Sequence, residues 1–248
     1  MAKRRKQSSI LDLLELTILL IIILIKIFIN LMVLIYDFIT IYTTKYKQKS
    51  GNGFFRTYFN KGNYGEFKLY RKIKNKFGNE YIFTNIYLDS SNTDKTEIDV
   101  IGIAKEGIYV FEMKNYSGYI FGSEYDEYWT QVLNKFSKNK FYNPIRQNYA
   151  HTKAIEKELL IDKTNIIPVV IFSNYVKLSK INVNKEMNVF KLSKVNTFIN
   201  KTRNNRKIVF NEKEIKEFSI KLIECSNMSE EVKEEHINQV KELKEVYR

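Results

Sequence analysis

The chain is short of the residues that cross-link small folds. Its 248 residues include one cysteine, two histidines and one tryptophan. A lone cysteine, Cys225, excludes an internal disulfide and fits a reducing compartment. His151 and His236 together with that one thiol cannot build a Cys/His metal cluster. Any metal must therefore be held mainly by carboxylates and backbone oxygens, the donors that suit Mg2+, Mn2+ or Ca2+. Negative charge is scarce too, with 28 acidic residues against 41 basic ones, a formal net charge of +13. Two readings follow: ordinary solubility charge, or attraction to a polyanion, either nucleic acid or an anionic membrane surface. The excess is spread out. The first 50 residues hold eight basic and three acidic groups, and the remainder is also net positive.

What the chain does have is a long apolar run near its start. Residues 16–36 are apolar except for Thr17, Lys26 and Asn30, and as a helix they match the thickness of a bilayer core. No small-residue cleavage site follows, so a signal peptide fits poorly. The run is expected to span a membrane, with a helix lying in the interface as the alternative. Glu15, Lys26, Asn30 and Asp37 are spaced 11, 4 and 7 apart and fall on one helical stripe. A polar stripe on a membrane helix faces protein or water, which points to self-association into a homo-oligomer. Basic residues flank the run on both sides, Lys3 to Lys6 before it and Lys45, Lys47, Lys49 and Arg56 after it, so charge does not set its orientation.

Past the apolar run, 43–61 is polar, basic and glycine-containing and reads as a linker. Leu69, Tyr70, Ile73 and Phe77 then recur at helical spacing, with Glu66 in the first turn of that helix. "EYIFTNIYL" alternates as a strand, and 96–118 reads as a hairpin. "YIFGSEYDEYWTQV" holds a further strand. "NPIRQNYAHTKAIEKEL" is a helix with Asn143 as N-cap and Pro144 at its first position. "NIIPVVIFSN" is a buried strand, "MNVFKLSKVNTFINK" a strand and helix, and "NEKEIKEFSIKLIE" an amphipathic helix capped by Asn211. A charged terminal helix is expected over 229–248. This order describes a mixed α/β domain around one sheet.

The hairpin carries charge where its surroundings are apolar. With Lys105 and Glu106 in the turn, Asp99 stands opposite Glu112, and Lys114 projects from the same face. Opposed Cβ atoms lie about 4.5–5.5 Å apart, so two carboxylates there repel. A divalent cation between them turns both into ligands, and Lys114 can then orient a water or neutralise developing charge. The alternative is structural, an Asp99–Lys114 ion pair with Glu112 hydrated.

These residues resemble the nuclease-related domain, NERD, of the PD-(D/E)xK nuclease-like superfamily. The resemblance rests on "GNYGE" (62–66), "EIDVIGIAKEGIYVFEMKNYSG" (97–118), Trp129 and "NPIRQNYAH" (143–151), and covers about residues 60–160. It implies a restriction-endonuclease-like α/β core, a central mixed sheet flanked by helices, preceded here by the hydrophobic helix. It also implies Asp99 and Glu112 as ligands of Mg2+, or of Mn2+ in its place, with the backbone carbonyl of Met113 as a further ligand. Lys114 would hold or activate the water, Glu66 would complete the site from its helix, and Gln147 would approach from the second helix. His151 lies one turn beyond Gln147. The alternative for Glu66 is a first-turn carboxylate favoured by the helix dipole, and for His151 a structural one. Ile98 stands where the superfamily name has proline, which leaves the ligand set intact.

The expected organisation is a basic N-terminus and membrane helix in 1–42 (helix about 13–36), a linker in 43–61, a nuclease-like core in 62–175, and a strand and helices completing or extending it in 176–248. The expected function is a single-pass, membrane-anchored nuclease that hydrolyses phosphodiesters of DNA, more than RNA, with its soluble domain in the cytoplasm. That placement follows the location of the substrate. The alternatives are a nucleic-acid-binding module that does not cut and a membrane scaffold.

Overall fold

A computed structural model describes residues 2–89 and 95–226, with side chains described from residue 12 to residue 225. The terminal helix expected over 229–248, and His236 with it, lies outside the described residues. The chain divides into two compact units, residues 1–43 and 44–248.

The first unit is one helix, α1 (Ala2–Thr43). Its 32-residue stretch Asp12–Thr43 is long and apolar enough to cross a membrane. At 1.5 Å per residue that stretch exceeds a hydrocarbon core of about 30 Å. Most of its described large side chains are exposed, Leu24 and Phe28 each at 63%, while Asp37, Thr40 and Ile41 near its C-terminal end are buried.

The second unit is mixed α/β. Residues 44–60, which composition presents as a linker, are instead folded into α2 (Tyr46–Ser50) and α3 (Phe54–Phe59). The reason lies in two residues among the polar ones. Tyr46 is fully buried, its ring 4.9 Å from Phe67 and 5.0 Å from Tyr70. The Lys49 ammonium donates to the carbonyls of Ile82 (2.7 Å) and Glu80 (3.2 Å) and lies 3.9 Å from the centre of the Phe83 ring.

Helix α4 (Lys61–Phe77) follows, capped by the Asn60 side chain, and buries Phe67, Leu69, Tyr70, Ile73 and Phe77. It starts earlier than the spacing of its apolar residues suggests. Glu66 therefore sits in the second turn, and the first turn holds no acidic residue. The helix-dipole reading of Glu66 loses its basis.

The strands are β1 (Ile82–Leu88), β2 (Thr96–Ala104), β3 (Gly107–Lys114), β4 (Gly118–Ser123), β5 (Tyr128–Asn134) and β6 (Ser137–Tyr142), then β7 (Ile166–Phe172), β8 (Val176–Asn182) and β9 (Asn188–Lys191). Helix α5 (Pro144–Leu159) separates β6 from β7, and α6 (Val195–Asn205) and α7 (Glu212–Ser226) close the described chain. The strands form two mixed sheets rather than one: β1-β2-β3-β7-β9 and β6-β5-β4-β8. The unforeseen edge strands β6 ("SKNKFY") and β8 ("VKLSKIN") are rich in lysine and lack an apolar run. Lysine-rich edges are a usual way to keep a sheet from pairing with another chain.

In the first sheet β3 is central, antiparallel to β2 and parallel to β7, and buried along nearly its whole length. One face packs Ile101, Ile103, Ile108 and Val110 against Ala154, Ile155 and Leu159 of α5, with Ile215 and Leu222 of α7. On the other, Phe77 of α4 meets Tyr109 and Phe111 edge-on at 5.1 and 6.2 Å. The second sheet has its own core around Ile120 and Trp129, shared with Val170 and Phe172.

Candidate active site

The hairpin register places the acidic residues. The β2–β3 turn is Lys105-Glu106, and the ladder pairs Ala104 with Gly107 through to Val100 with Phe111. Continued by one step, this register sets Asp99 against Glu112, the pairing expected from the turn. The ladder stops short of that step. Beyond it, the Met113 N–H donates to Oδ2 of Asp99 at 2.7 Å. A residue's N–H and C=O leave an antiparallel strand on the same edge, so the Met113 carbonyl also faces the side where Asp99 sits.

The neighbouring strand breaks its pattern at the same level. The β1–β2 ladder pairs Thr84 with Val100 and Ile86 with Ile98 but skips Asn85 and Asp99. Asn85 has φ +56°, a left-handed conformation that is uncommon outside glycine and tolerated best by Asn and Asp. Its amide Nδ2 donates both to Glu66 Oε2 (3.1 Å) and to Glu97 Oε1 (2.9 Å). A strained backbone at such a level is a feature of functional sites.

Helix α5 covers the other flank. Its N-terminus is fixed by Asn143, whose oxygen accepts from the Ile145 N–H while its amide donates to the carbonyls of Ser123, Glu124 and Asp126. A cap of this kind contributes about 1 kcal/mol. Trp129 Nε1 donates to the Ser123 carbonyl, and its ring fills the space a Cβ on Gly122 would occupy. Asn143 and Trp129 thus both hold the Ser123 carbonyl beside the start of this helix. Thus anchored, α5 presents Gln147 and His151, one turn apart. Gln147 Oε1 accepts from Lys114 Nζ at 2.8 Å, and His151 Nδ1 lies 3.3 Å from Glu112 Oε2. Between them Asn148, buried, donates to the Val110 carbonyl of β3.

Helix α4 is drawn to the end of β3 by a missing side chain. A Cβ on Gly65 would lie 2.6 Å from Cβ of Asn115. With glycine there, Asn115 Nδ2 donates to the Lys61 carbonyl at 2.7 Å, and Glu66 comes within electrostatic reach of Asp99 and Glu112.

The charges are arranged in tension. Glu112 is 1% exposed, in a buried strand, and its Oε1 lies 2.6 Å from Lys114 Nζ. Its Oε2 makes no hydrogen bond among the described residues. Burial, with Glu97 and then Glu112 nearby, pushes the Glu66 carboxyl up to about 8. Burial and the charges of Glu112 and Glu66 push Asp99 well above the usual carboxylate range, against the pull of Lys114 and the Met113 N–H. Burial alone would lower the Lys114 ammonium, but Glu112 and Asp99 outweigh it and raise its pKa, so it stays a cation. Neighbouring carboxylates thus raise the cost of ionising Glu66 and Asp99, with the Lys114 cation beside them.

The donor set suits a hard divalent cation: carboxylate oxygens, one of them buried without a hydrogen bond, beside a main-chain edge. Among the described residues no three His, Cys, Asp or Glu side chains form a ready-made metal-holding group. An ion here would complete its shell with the Met113 carbonyl and waters, as Mg2+ commonly does.

All the expected residues, Glu66, Asp99, Glu112, Met113, Lys114 and Gln147, come together at this end of the sheet, and His151 joins them. Sequence reasoning passed over Asn85, Glu97 and Asn148. Glu97 and Asn148 lie inside the quoted motifs, but nothing in spacing marks their role. Asn85 could be found only from its backbone.

The family model of the nuclease-related domain matches residues 61–173. Over 128 residues the chain is 38% identical to an uncharacterized protein of Bacillus anthracis, covering 51% of this chain and 59% of that one. The chain thus spans about three fifths of the relative's length. No solved structure gives a significant match. The match to a nuclease-related domain over 61–173 agrees with the fold, and a nuclease-like superfamily assignment is consistent with both.

Proposed function

We propose that this protein is a membrane-anchored nuclease that hydrolyses phosphodiester bonds of DNA with Mg2+, or Mn2+ in its place. The observation that carries the reading is the meeting of Asp99, Glu112 and Lys114 where the β2–β3 ladder stops, within the region that matches the nuclease-related domain. Asp99 and Glu112 would hold the ion with the Met113 carbonyl. When bound, such an ion polarises a phosphoryl oxygen and lowers the pKa of a bound water.

The chain's own residues have separable roles in this reading. Lys114 is held as a cation, so it neutralises charge on the phosphoryl group and orients a water rather than removing a proton. Gln147 fixes the Lys114 ammonium from the far side. His151 Nδ1 lies 3.3 Å from the second oxygen of Glu112 without hydrogen-bonding to it. Glu66, whose carboxyl is raised to about 8, would serve as a further ligand or as a proton acceptor were a cation bound. The net positive chain supplies sequence-independent phosphate attraction. In α1 a spanning helix explains why so many large apolar side chains are exposed. A cytoplasmic soluble unit follows from where DNA is.

The test is cleavage of plasmid and linear DNA by the detergent-solubilised full chain, with Mg2+ or with EDTA, beside Glu112→Ala and Lys114→Ala. Metal-dependent cutting lost in both variants is expected. Equal cutting by all three proteins overturns the assignment. Retained DNA binding without any cutting by the wild type favours the non-cleaving alternative.

A further inference from the structure

A row of aromatic rings interleaved with a lysine leads to the carboxylate site. Phe54 of α3 stacks on Tyr58 at 5.5 Å, and Tyr58 meets Tyr64 of α4 edge-on at 5.3 Å. Lys68, one turn along α4, holds its ammonium 4.5 Å from the Tyr64 ring and 5.6 Å from the Tyr175 ring. The same ammonium donates to Asn115 Oδ1 at 3.3 Å, next in the chain to Lys114.

The row is fixed at the site end. The Tyr175 N–H donates to Ser173 Oγ, and the Ser173 N–H donates to the Lys114 carbonyl at 3.0 Å. The Tyr175 carbonyl accepts from the Gly118 N–H. Its backbone is thus tied to the end of β3 while the residue as a whole is 74% exposed. Tyr58 is 41% exposed.

We infer that this row is a stacking track for the unpaired bases of a single-stranded nucleic acid, feeding its backbone to Lys114. The inference deepens the nuclease reading and rests on it for the location of the reacting end. Two features favour this occupant over a lipid surface: a lysine lies among the rings, and one end of the row meets the acidic site. The far end, on α3, adjoins the exposed Phe55 and Phe59. Rings stack on any base, while a fully paired duplex keeps its base faces covered, so the substrate class is a single strand, a flap or a frayed end. Lys68 supplies phosphate attraction at the step before the carboxylates, where repulsion begins.

The test uses the full chain carrying Glu112→Gln, in nanodiscs with EDTA, so that binding is read without cutting. Fluorescence anisotropy compares a labelled dT12 strand with a 12-base-pair duplex. Tyr175→Ala should weaken single-strand binding by roughly 5- to 150-fold, the equivalent of about 1–3 kcal/mol for one stacked base, and leave duplex binding nearly unchanged. Tyr175→Phe should retain it. Equal single-strand affinity with and without the ring, or an equal loss for strand and duplex, overturns the inference. So does quenching of a Tyr175→Trp variant by brominated lipid, which places the row on the bilayer. A wild type that binds through Tyr175 but never cuts removes the nuclease reading and leaves this one standing. A wild type that cuts, with Tyr175→Ala indistinguishable from it, does the reverse.

Discussion

The amide of Met113 gives its hydrogen to the side chain of Asp99, where continuation of the hairpin register would give it to the main chain of Ile98. One acidic side chain thus replaces a ladder bond and holds the strands apart at the site. Asp99 has two separable duties, an acceptor for that amide and a negative charge. Asp99→Asn keeps an acceptor oxygen and removes a charge that burial, Glu112 and Glu66 all disfavour. Its melting temperature without metal should equal or exceed that of the wild type, while Mg2+-dependent cleavage falls by at least about 100-fold, the scale of losing one electrostatic partner of the transition state. Asp99→Leu leaves the Met113 amide unpartnered and should lose about 1–3 kcal/mol of stability. Denaturant melts of the three proteins check the order.

Glu66 fixes the sign of the pH dependence. Its carboxyl is at about 8 in the folded chain against an ordinary value of 4.5. Between those values the folded state holds a proton that the unfolded state has released. Stability of the metal-free protein therefore falls as pH rises from about 4.5 to about 8. Asp99 contributes with the same sign, because its pKa is raised too. Glu66→Gln should flatten the slope across this window, and saturating Mg2+ should flatten it in the wild type by competing with protons for the same oxygens. Unfolding free energies at several pH values, with EDTA and with Mg2+, measure both effects. A slope that rises with pH excludes the carboxylate cluster as its source.

Much of this arrangement was legible in residue order alone. The two-residue turn at Lys105-Glu106 sets the register, and that register brings Asp99 to the level of Glu112, one step beyond the last ladder pair. Asn143 and Pro144 announce the start of α5, and its period carries Gln147 and His151 to one face. What remained hidden depends on contacts between distant segments. Tyr46 folds a polar stretch only because Phe67 and Tyr70 are there to receive it. The edge strands β6 and β8 have no apolar pattern because they pair on one side and face water on the other. Asn85 is legible only from φ, since a left-handed residue inside a strand leaves no trace in hydropathy. The first turn of α4 is polar, so apolar spacing starts the helix late and misplaces Glu66 by a turn.

Gly65 tests whether Glu66 must stand where it does. A methyl at this position meets Cβ of Asn115 at 2.6 Å, a separation real Cβ atoms do not adopt. Alanine gains about 1 kcal/mol of helix propensity over glycine, whereas overpacking a tight contact costs about 1–3 kcal/mol. Gly65→Ala should therefore be neutral to mildly destabilising, yet it must push α4 away from the end of β3. Cleavage should fall more steeply than stability, and the Mg2+ concentration for half-maximal activity should rise, because Glu66 retreats with the helix. Unchanged activity in a folded Gly65→Ala protein would show that Glu66 takes no part.

The helix α1 makes a prediction independent of the carboxylate site. The exposed apolar length of Asp12–Thr43 should keep the protein in the membrane fraction after alkaline carbonate washing. In intact cells, external protease should leave residues 44–248 uncut, and permeabilised cells should lose them. Of the expected polar stripe, Glu15, Lys26 and Asn30 are exposed and supply the second half of the test, whereas Asp37 is buried within the chain. Charged and amide side chains are costly in lipid and pair with one another where they can. Cross-linking in membranes should trap a homo-oligomer of the full chain. Lys26→Leu with Asn30→Leu should reduce it several-fold while the protein stays membrane-bound. Interhelical polar contacts in bilayers contribute about 0.6 kcal/mol on average, so two lost contacts shift a weak association measurably without abolishing it. Cross-linking that survives the double substitution would assign self-association to residues outside the stripe.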